Sequence, residues 1–138
     1  MELFENSLSR QASQPATTSM SGISETPLGP PAEYGGSKET LNPEEMFVAS
    51  VNSCIMLVFY YFAEKFNMDI SSYTSQAEGK VEKTRDGLRF TDINVRAKIS
   101  LSSNRPTDEV KKVAQLAEKY CLVSNSLTCP VQYDVEVE

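Results

Sequence analysis

Residues 42–63 read NPEEMFVASVNSCIMLVFYYFA, and this stretch decides the fold. Asn42 is a helix-capping residue, Pro43 suits the first helical position, and Glu44 and Glu45 complement the positive end of a helix dipole. Over residues 46–63 there is almost no polar side, and a helix apolar all round is one buried on all sides. A membrane span is the rival reading. Ser50, Asn52 and Ser53 interrupt the run, its unbroken part covers only residues 54–63, and basic flanks are missing. The roughly 20 apolar residues of a span are therefore not met. The pattern predicts a central helix over residues 42–68, enclosed by sheet, with a second copy of the chain completing the enclosure.

Beyond this helix the period changes to two. Tyr73, Ser75, Ala77, Gly79 and Val81 share one face of a strand, and Asp86-Gly87 is a hairpin turn. The return strand carries Phe90, then Ile93, Val95, Ala97, Ile99 and Leu101. Its phase slips between Phe90 and Ile93, which predicts a bulge near Thr91-Asp92. Pro106-Thr107-Asp108-Glu109 opens a second helix, with Val110, Val113, Ala114, Ala117, Tyr120 and Cys121 on its apolar face. A short helix over 122–128 follows, then a strand with Val131, Tyr133, Val135 and Val137 on its buried face. Ahead of the central helix, residues 1–41 are rich in Ser, Thr, Gly and Pro. Two short strands, near 3–9 and 20–25, precede a loop marked by Pro30-Pro31 and Gly35-Gly36. This part buries little surface unaided and is expected to lie against something else, such as a partner chain. The whole is an α+β arrangement, and 138 residues fit one domain, 1–138.

Composition narrows the function. A net charge of −6 with dispersed Lys and Arg argues against sequence-independent nucleic-acid binding and against an anionic membrane surface. No histidine is present, which removes Ser-His-Asp and Cys-His catalysis and the commonest ligand of catalytic metals. No phosphate-cradling Gly-rich loop or dinucleotide fingerprint occurs, so no cofactor is expected. The expected partners are small molecules or another copy of the chain. Met1-Glu2-Leu3-Phe4-Glu5 is acidic where a secretory signal is basic, and three irregularly spaced cysteines make a poor disulfide framework. A cytoplasmic location is the resulting expectation.

Cys54 lies mid-way along the central helix and Cys121 on the apolar face of the second. Either alone reads as a small inert hydrophobe. Both side chains point inward from helices packed on one core, so they can meet, although periodicity does not show that they do.

The stretch 35–54, GGSKETLNPEEMFVASVNSC, resembles the signature of the OsmC/Ohr family of hydroperoxide reductases. In that family a Gly-rich loop leads to Asn-Pro-Glu at a helix start, and a peroxidatic cysteine follows ten residues after the Glu. Glu44 and Cys54 have that spacing. Residues 117–127, AEKYCLVSNSL, are similar to the family's resolving-cysteine segment, with Leu122 where the family usually has Pro. The resemblance implies mostly antiparallel sheets wrapped round a long buried central helix, in an intertwined homodimer. It implies reduction of organic hydroperoxides, or hydrogen peroxide, through a Cys54 sulfenic acid and a Cys54–Cys121 disulfide, which an external dithiol reduces. In the family an N-terminal Arg pairs with the Glu to stabilise the thiolate and orient the peroxide. Glu44 matches the Glu, and Arg10 is the one Arg ahead of the helix.

On a straight helix Glu44 and Cys54 lie about 15 Å apart along the axis and about 80° apart around it. Either the helix breaks between them or Glu44 serves the Cys54 of a partner. Cys129, beside Pro130, has no counterpart in the motif; it reads as a packing or bystander thiol, with a backup resolving role as the alternative. Two rival functions stand beside the peroxidase. One is a small-molecule-binding module or thioesterase of the hot-dog type. The other is a non-enzymatic dimeric domain of the same fold.

Overall fold

A computed structural model of the chain describes residues 1–20, 23 and 25–138. It resolves into two compact units, residues 1–47 and 48–138.

The N-terminal unit contains three short antiparallel strands in the order β1 (Ser7–Ser9), β2 (Ala16–Ser19), β3 (Thr26–Leu28). The strand expected near 3–9 occupies only the end of that range. The one expected near 20–25 falls partly on residues 21, 22 and 24, outside the described residues, with strands on either side at 16–19 and 26–28. β1 is wholly exposed, and the small polar side chains here leave Thr18 as the buried residue of β2. A 3-10 turn, Ala32–Tyr34, then reverses the chain. It closes on Gly36, where a Cβ would lie 1.7 Å from the Pro30 carbonyl oxygen, so only glycine fits. Leu41 pairs alongside Leu28, with Gly29 N–H donating to the Leu41 carbonyl and Leu41 N–H to that of Pro27. That pairing leads the chain into Asn42.

Asn42 starts α1 (Pro43–Lys65) as the sequence predicts. Its Oδ1 accepts from the Glu45 N–H at 2.7 Å and its Nδ2 donates to Glu45 Oε1 at 2.8 Å. The side chains of Asn42 and Glu45 thus hold each other at the helix start, a variant of the capping box. The helix ends three residues before the expected limit. Asn67 takes a left-handed φ of 52°, Met68 N–H reaches back to the Ala63 carbonyl, and Arg105 donates to the carbonyls of Phe66 and Asn67.

In the larger unit, β4 (Ile70–Thr84) and β5 (Gly87–Leu101) form the predicted hairpin. Gly87 has a φ of 99° at its turn, and Lys80 faces Asp92 while Val81 faces Phe90. Thr91 is therefore the extra residue of the expected bulge. α2 (Thr107–Tyr120) follows, then α3 (Leu122–Asn125), shorter than the expected 122–128, and β6 (Val131–Val137). β6 adds to β5 in parallel, giving the order β4-β5-β6. One face of this sheet carries Tyr73, Ala77, Ile93, Val95, Ala97, Ile99 and Tyr133; the other is polar.

α1 lies on the apolar face, running against β4. Val48 meets Gly79, Asn52 Oδ1 accepts from Ser75 Oγ at 2.8 Å, and the Phe59 ring packs on Tyr73. Within the single chain α1 is buried along one side. Val51, Ile55, Phe59 and Ala63 form one buried stripe, while Leu57, Tyr60 and Tyr61 are exposed. Within residues 48–138 one sheet covers one side of the helix. By length and composition α1 also passes as a membrane span, as the core helix of a globular fold does. Its stripe of buried residues places it in the chain's own core.

Candidate functional site

Cys54 lies on the flank of α1's buried stripe, half-buried, and Cys121 is fully buried at the point where α2 gives way to α3. The helical spacing of Val110, Val113, Ala114 and Ala117 brings Cys121 onto the core side of α2. Cys121 itself leaves the helix, with φ −70° and ψ 107°, and α3 begins at the next residue. Asn125 Nδ2 donates to the Lys119 carbonyl and Ser124 Oγ to that of Cys121, which fixes this corner.

The two cysteines are neighbours. The electrostatic neighbours of the Cys54 thiol are Cys121 and the backbone of Val123 and Leu122. Burial pushes the Cys54 thiol above its ordinary pKa, and the neighbouring Cys121 adds to that, while the two N–H groups pull it down. Burial wins, and the net shift is upward. Sequence reasoning missed Leu122 and Val123, because a backbone N–H carries no residue signature. The extended conformation of Cys121 follows from no side-chain pattern.

Cys129 is half-buried where the loop after α3 joins β6, beside Thr128, whose Oγ1 accepts from Arg89 Nη2. All three cysteines are free thiols.

The other two candidates belong to the N-terminal unit. Glu44 sits in the first turn of α1, with Oε1 shielded from solvent and without a hydrogen-bond partner; Thr40 Oγ1 is in the same condition. Such buried oxygens lose solvation without compensation, at about 1–3 kcal/mol each. Arg10 does not relieve Glu44. It is exposed, and its Nε donates to the Gln14 carbonyl at 3.1 Å. α1 is unbroken between Glu44 and Cys54, which removes the first of the two options for bringing them to one site. Among the described residues no group of three His, Cys, Asp or Glu side chains converges as a metal site requires.

Residues 35–136 match the sequence profile of a family described as OsmC-like protein. The chain belongs to the OsmC-like family. An OsmC-like protein of unknown function from Vibrio cholerae has the same fold, with a TM-score of 0.90 and 25% identity, covering 99% of this chain and all of that one. An organic hydroperoxide resistance protein from Legionella pneumophila superposes with a TM-score of 0.76, 18% identity and coverage of 100% and 98%, a likeness of fold alone. In sequence, the chain is 24% identical over 104 residues to an uncharacterized protein of Methanocaldococcus jannaschii. The match takes in 75% of this OsmC-like chain but 53% of the archaeal protein, so the chain spans about half the length of that curated relative. The α+β fold expected from the OsmC/Ohr resemblance is therefore borne out.

Proposed function

We propose that this OsmC-like chain is a thiol peroxidase that reduces organic hydroperoxides, and hydrogen peroxide by the same chemistry. The observation that carries the reading is that Cys54 and Cys121 are electrostatic neighbours. In the first step the Cys54 thiolate attacks the terminal peroxide oxygen. An S–O bond forms, the O–O bond breaks, and the alkoxide leaves as an alcohol after taking up a proton. The sulfur is oxidised by two electrons to a sulfenic acid. Cys121 then attacks that sulfur, an S–S bond forms, the S–O bond breaks, and water departs with the Cys121 proton. An external dithiol returns both cysteines to thiols and is itself oxidised to a disulfide.

This cycle needs Cys54 as a thiolate, against the upward push of burial. A cation nearby supplies what burial removes. In our reading Arg10 and Glu44 of a second copy do so, because Glu44 of the same chain sits about 15 Å up an unbroken helix from Cys54. The unpartnered Glu44 oxygen and the exposed apolar side of α1 favour such a homodimer, in which residues 1–138 act as one functional domain. Three free thiols fit a reducing, cytoplasmic setting.

The raised Cys54 pKa favours a second reading, a non-enzymatic dimeric small-molecule-binding domain of this fold in which the thiols are inert. Treatment with cumene hydroperoxide, followed by thiol titration and mass spectrometry, separates the two. The peroxidase loses two thiols per chain and gains a Cys54–Cys121 disulfide. Cys54→Ser abolishes peroxide consumption, and Cys121→Ser leaves Cys54 as a sulfenic or overoxidised acid. Retention of all three thiols under excess peroxide selects the binding domain. A monomer by light scattering with full activity would remove the homodimer.

A further inference from the structure

The β4–β5 hairpin ends in a basic tip with an uncovered apolar face. By alternation from Gly79, which Val48 overlies, Val81 and Lys83 lie on the inner face of β4. The pairs Val81–Phe90 and Lys83–Leu88 put Phe90 and Leu88 on the same face of β5. Val81 and Leu88 are both exposed, Leu88 at 61%. Around them stand Lys83, Arg85 and Arg89, all exposed. Among the described residues none of these three makes an ion pair, and Arg89 donates to the neutral Thr128 hydroxyl. Of the two carboxylates in residues 81–90, Glu82 pairs with Lys80, which leaves Asp86 in the turn to offset three cations.

The segment Met1–Glu5, MELFE, has the converse chemistry. Leu3 and Phe4 are 76% and 84% exposed, and Glu2 and Glu5 flank them with no ion pair among the described residues. Laid out as an extended strand, each face of the segment carries one acidic and one large apolar side chain, Glu2 with Phe4 and Leu3 with Glu5. Apolar beside cationic on the hairpin meets apolar beside anionic on the segment. Both surfaces stand exposed in one copy. A chain of net charge −6 repels its own copies at long range, so a copy docks where a basic patch faces an acidic segment.

We propose that residues 1–5 of one copy dock on the hairpin tip of another, Leu3 and Phe4 against Val81 and Leu88, with Glu2 and Glu5 facing Lys83, Arg85 and Arg89. This rests on the homodimer of the preceding reading and not on its thiol chemistry. In a two-fold dimer the contact occurs twice, each copy giving one segment and one hairpin. Apolar contact supplies the adhesion, and the charges supply register and the choice of partner. Exposed ion pairs are screened by salt, so the charge-dependent part fades toward 1 M ionic strength, where the Debye length falls to about 3 Å.

The experiment uses two charge reversals in the full chain, Glu2→Lys with Glu5→Lys and Lys83→Glu with Arg85→Glu, and measures the dimer dissociation constant by analytical ultracentrifugation. All four side chains are exposed, so the fold is kept, which circular dichroism checks. Each reversal alone sets like charges against each other at both contacts and is expected to weaken the dimer about tenfold at low salt. An equal mixture of the two is expected to form a mixed dimer nearly as tight as the wild type, because each segment then meets a hairpin of opposite charge. At 1 M salt these differences shrink. Docking of the segment within its own copy gives no rescue on mixing, and a hairpin that serves an unrelated acidic partner gives wild-type dimers from both variants. Either result would overturn the proposal, as would a wild-type chain that stays monomeric. Peroxide consumption is read separately. Dimers that show the rescue but consume no peroxide keep this contact and lose the peroxidase, and active dimers that neither reversal weakens do the reverse.

Discussion

A Cβ placed on Gly79 would lie 2.6 Å from Val48 Cγ2 and 2.7 Å from Phe90 Cε1, closer than such atoms approach. Gly79 falls on the inward face of β4 by simple alternation, yet its place there says nothing of a missing side chain. The reason is the crossing of α1, whose Val48 side chain lies over Gly79. Gly79→Ala is expected to destabilise the fold by about 1–3 kcal/mol through overpacking, measured as the midpoint of urea unfolding. An unchanged midpoint would mean that α1 rides higher over β4 than described. Residue chemistry at the start of α1 was more legible. Asn42, Pro43 and the acidic pair announce a helix start, and Glu45 proves to be the partner of the Asn42 side chain. The two site carboxylate and guanidinium candidates were identified by resemblance, and in the single chain Arg10 and Glu44 remain apart.

Among the elements, the hairpin was readable in detail, since the period-two pattern sets its faces and the slip after Phe90 locates the bulge at Thr91. The parallel pairing of β6 with β5 was not, because α2 carries the chain back across the sheet and no local pattern records its path. Nor was the bond that ties the two outer strands together. Tyr73 Oη and Tyr133 Oη lie 2.6 Å apart. They come from strands that are not neighbours, and reach across β5, where Ala97 is small enough to leave room between Val95 and Ile99. Burial raises both phenol pKa values; for Tyr133 the nearby Tyr73 and Glu118 add to the rise. A phenol held neutral in the fold and free to ionise when unfolded contributes stability that is present below about pH 10 and is lost as pH rises above it. Tyr133→Phe is expected to cost about 1 kcal/mol near neutrality from the lost hydrogen bond, and to show a flatter decline in stability between pH 9.5 and 11. Parallel declines in the two proteins, by urea unfolding at each pH, would contradict this.

For the whole molecule, the apolar run at residues 46–63 promised more burial than one chain delivers. Hydrophobicity reports that a surface will be covered and is silent on which chain covers it. Unit size points the same way: residues 1–47 bury little of their own, and α1 passes from that unit into the larger one. Val48 against Gly79, Asn52 against Ser75 and Phe59 against Tyr73 are three fixing points along α1. They act as dowels between helix and sheet. If Cys54 and Cys121 join, their sulfurs must close to about 2.05 Å. A doweled helix does not travel that distance, so the displacement falls on the four-residue α3 and the corner before it. The oxidation state of the chain would then be written in the geometry of residues 121–126. Amide hydrogen exchange on the oxidised and reduced forms should differ there and agree over residues 48–59; the opposite distribution would show that the dowels give way first.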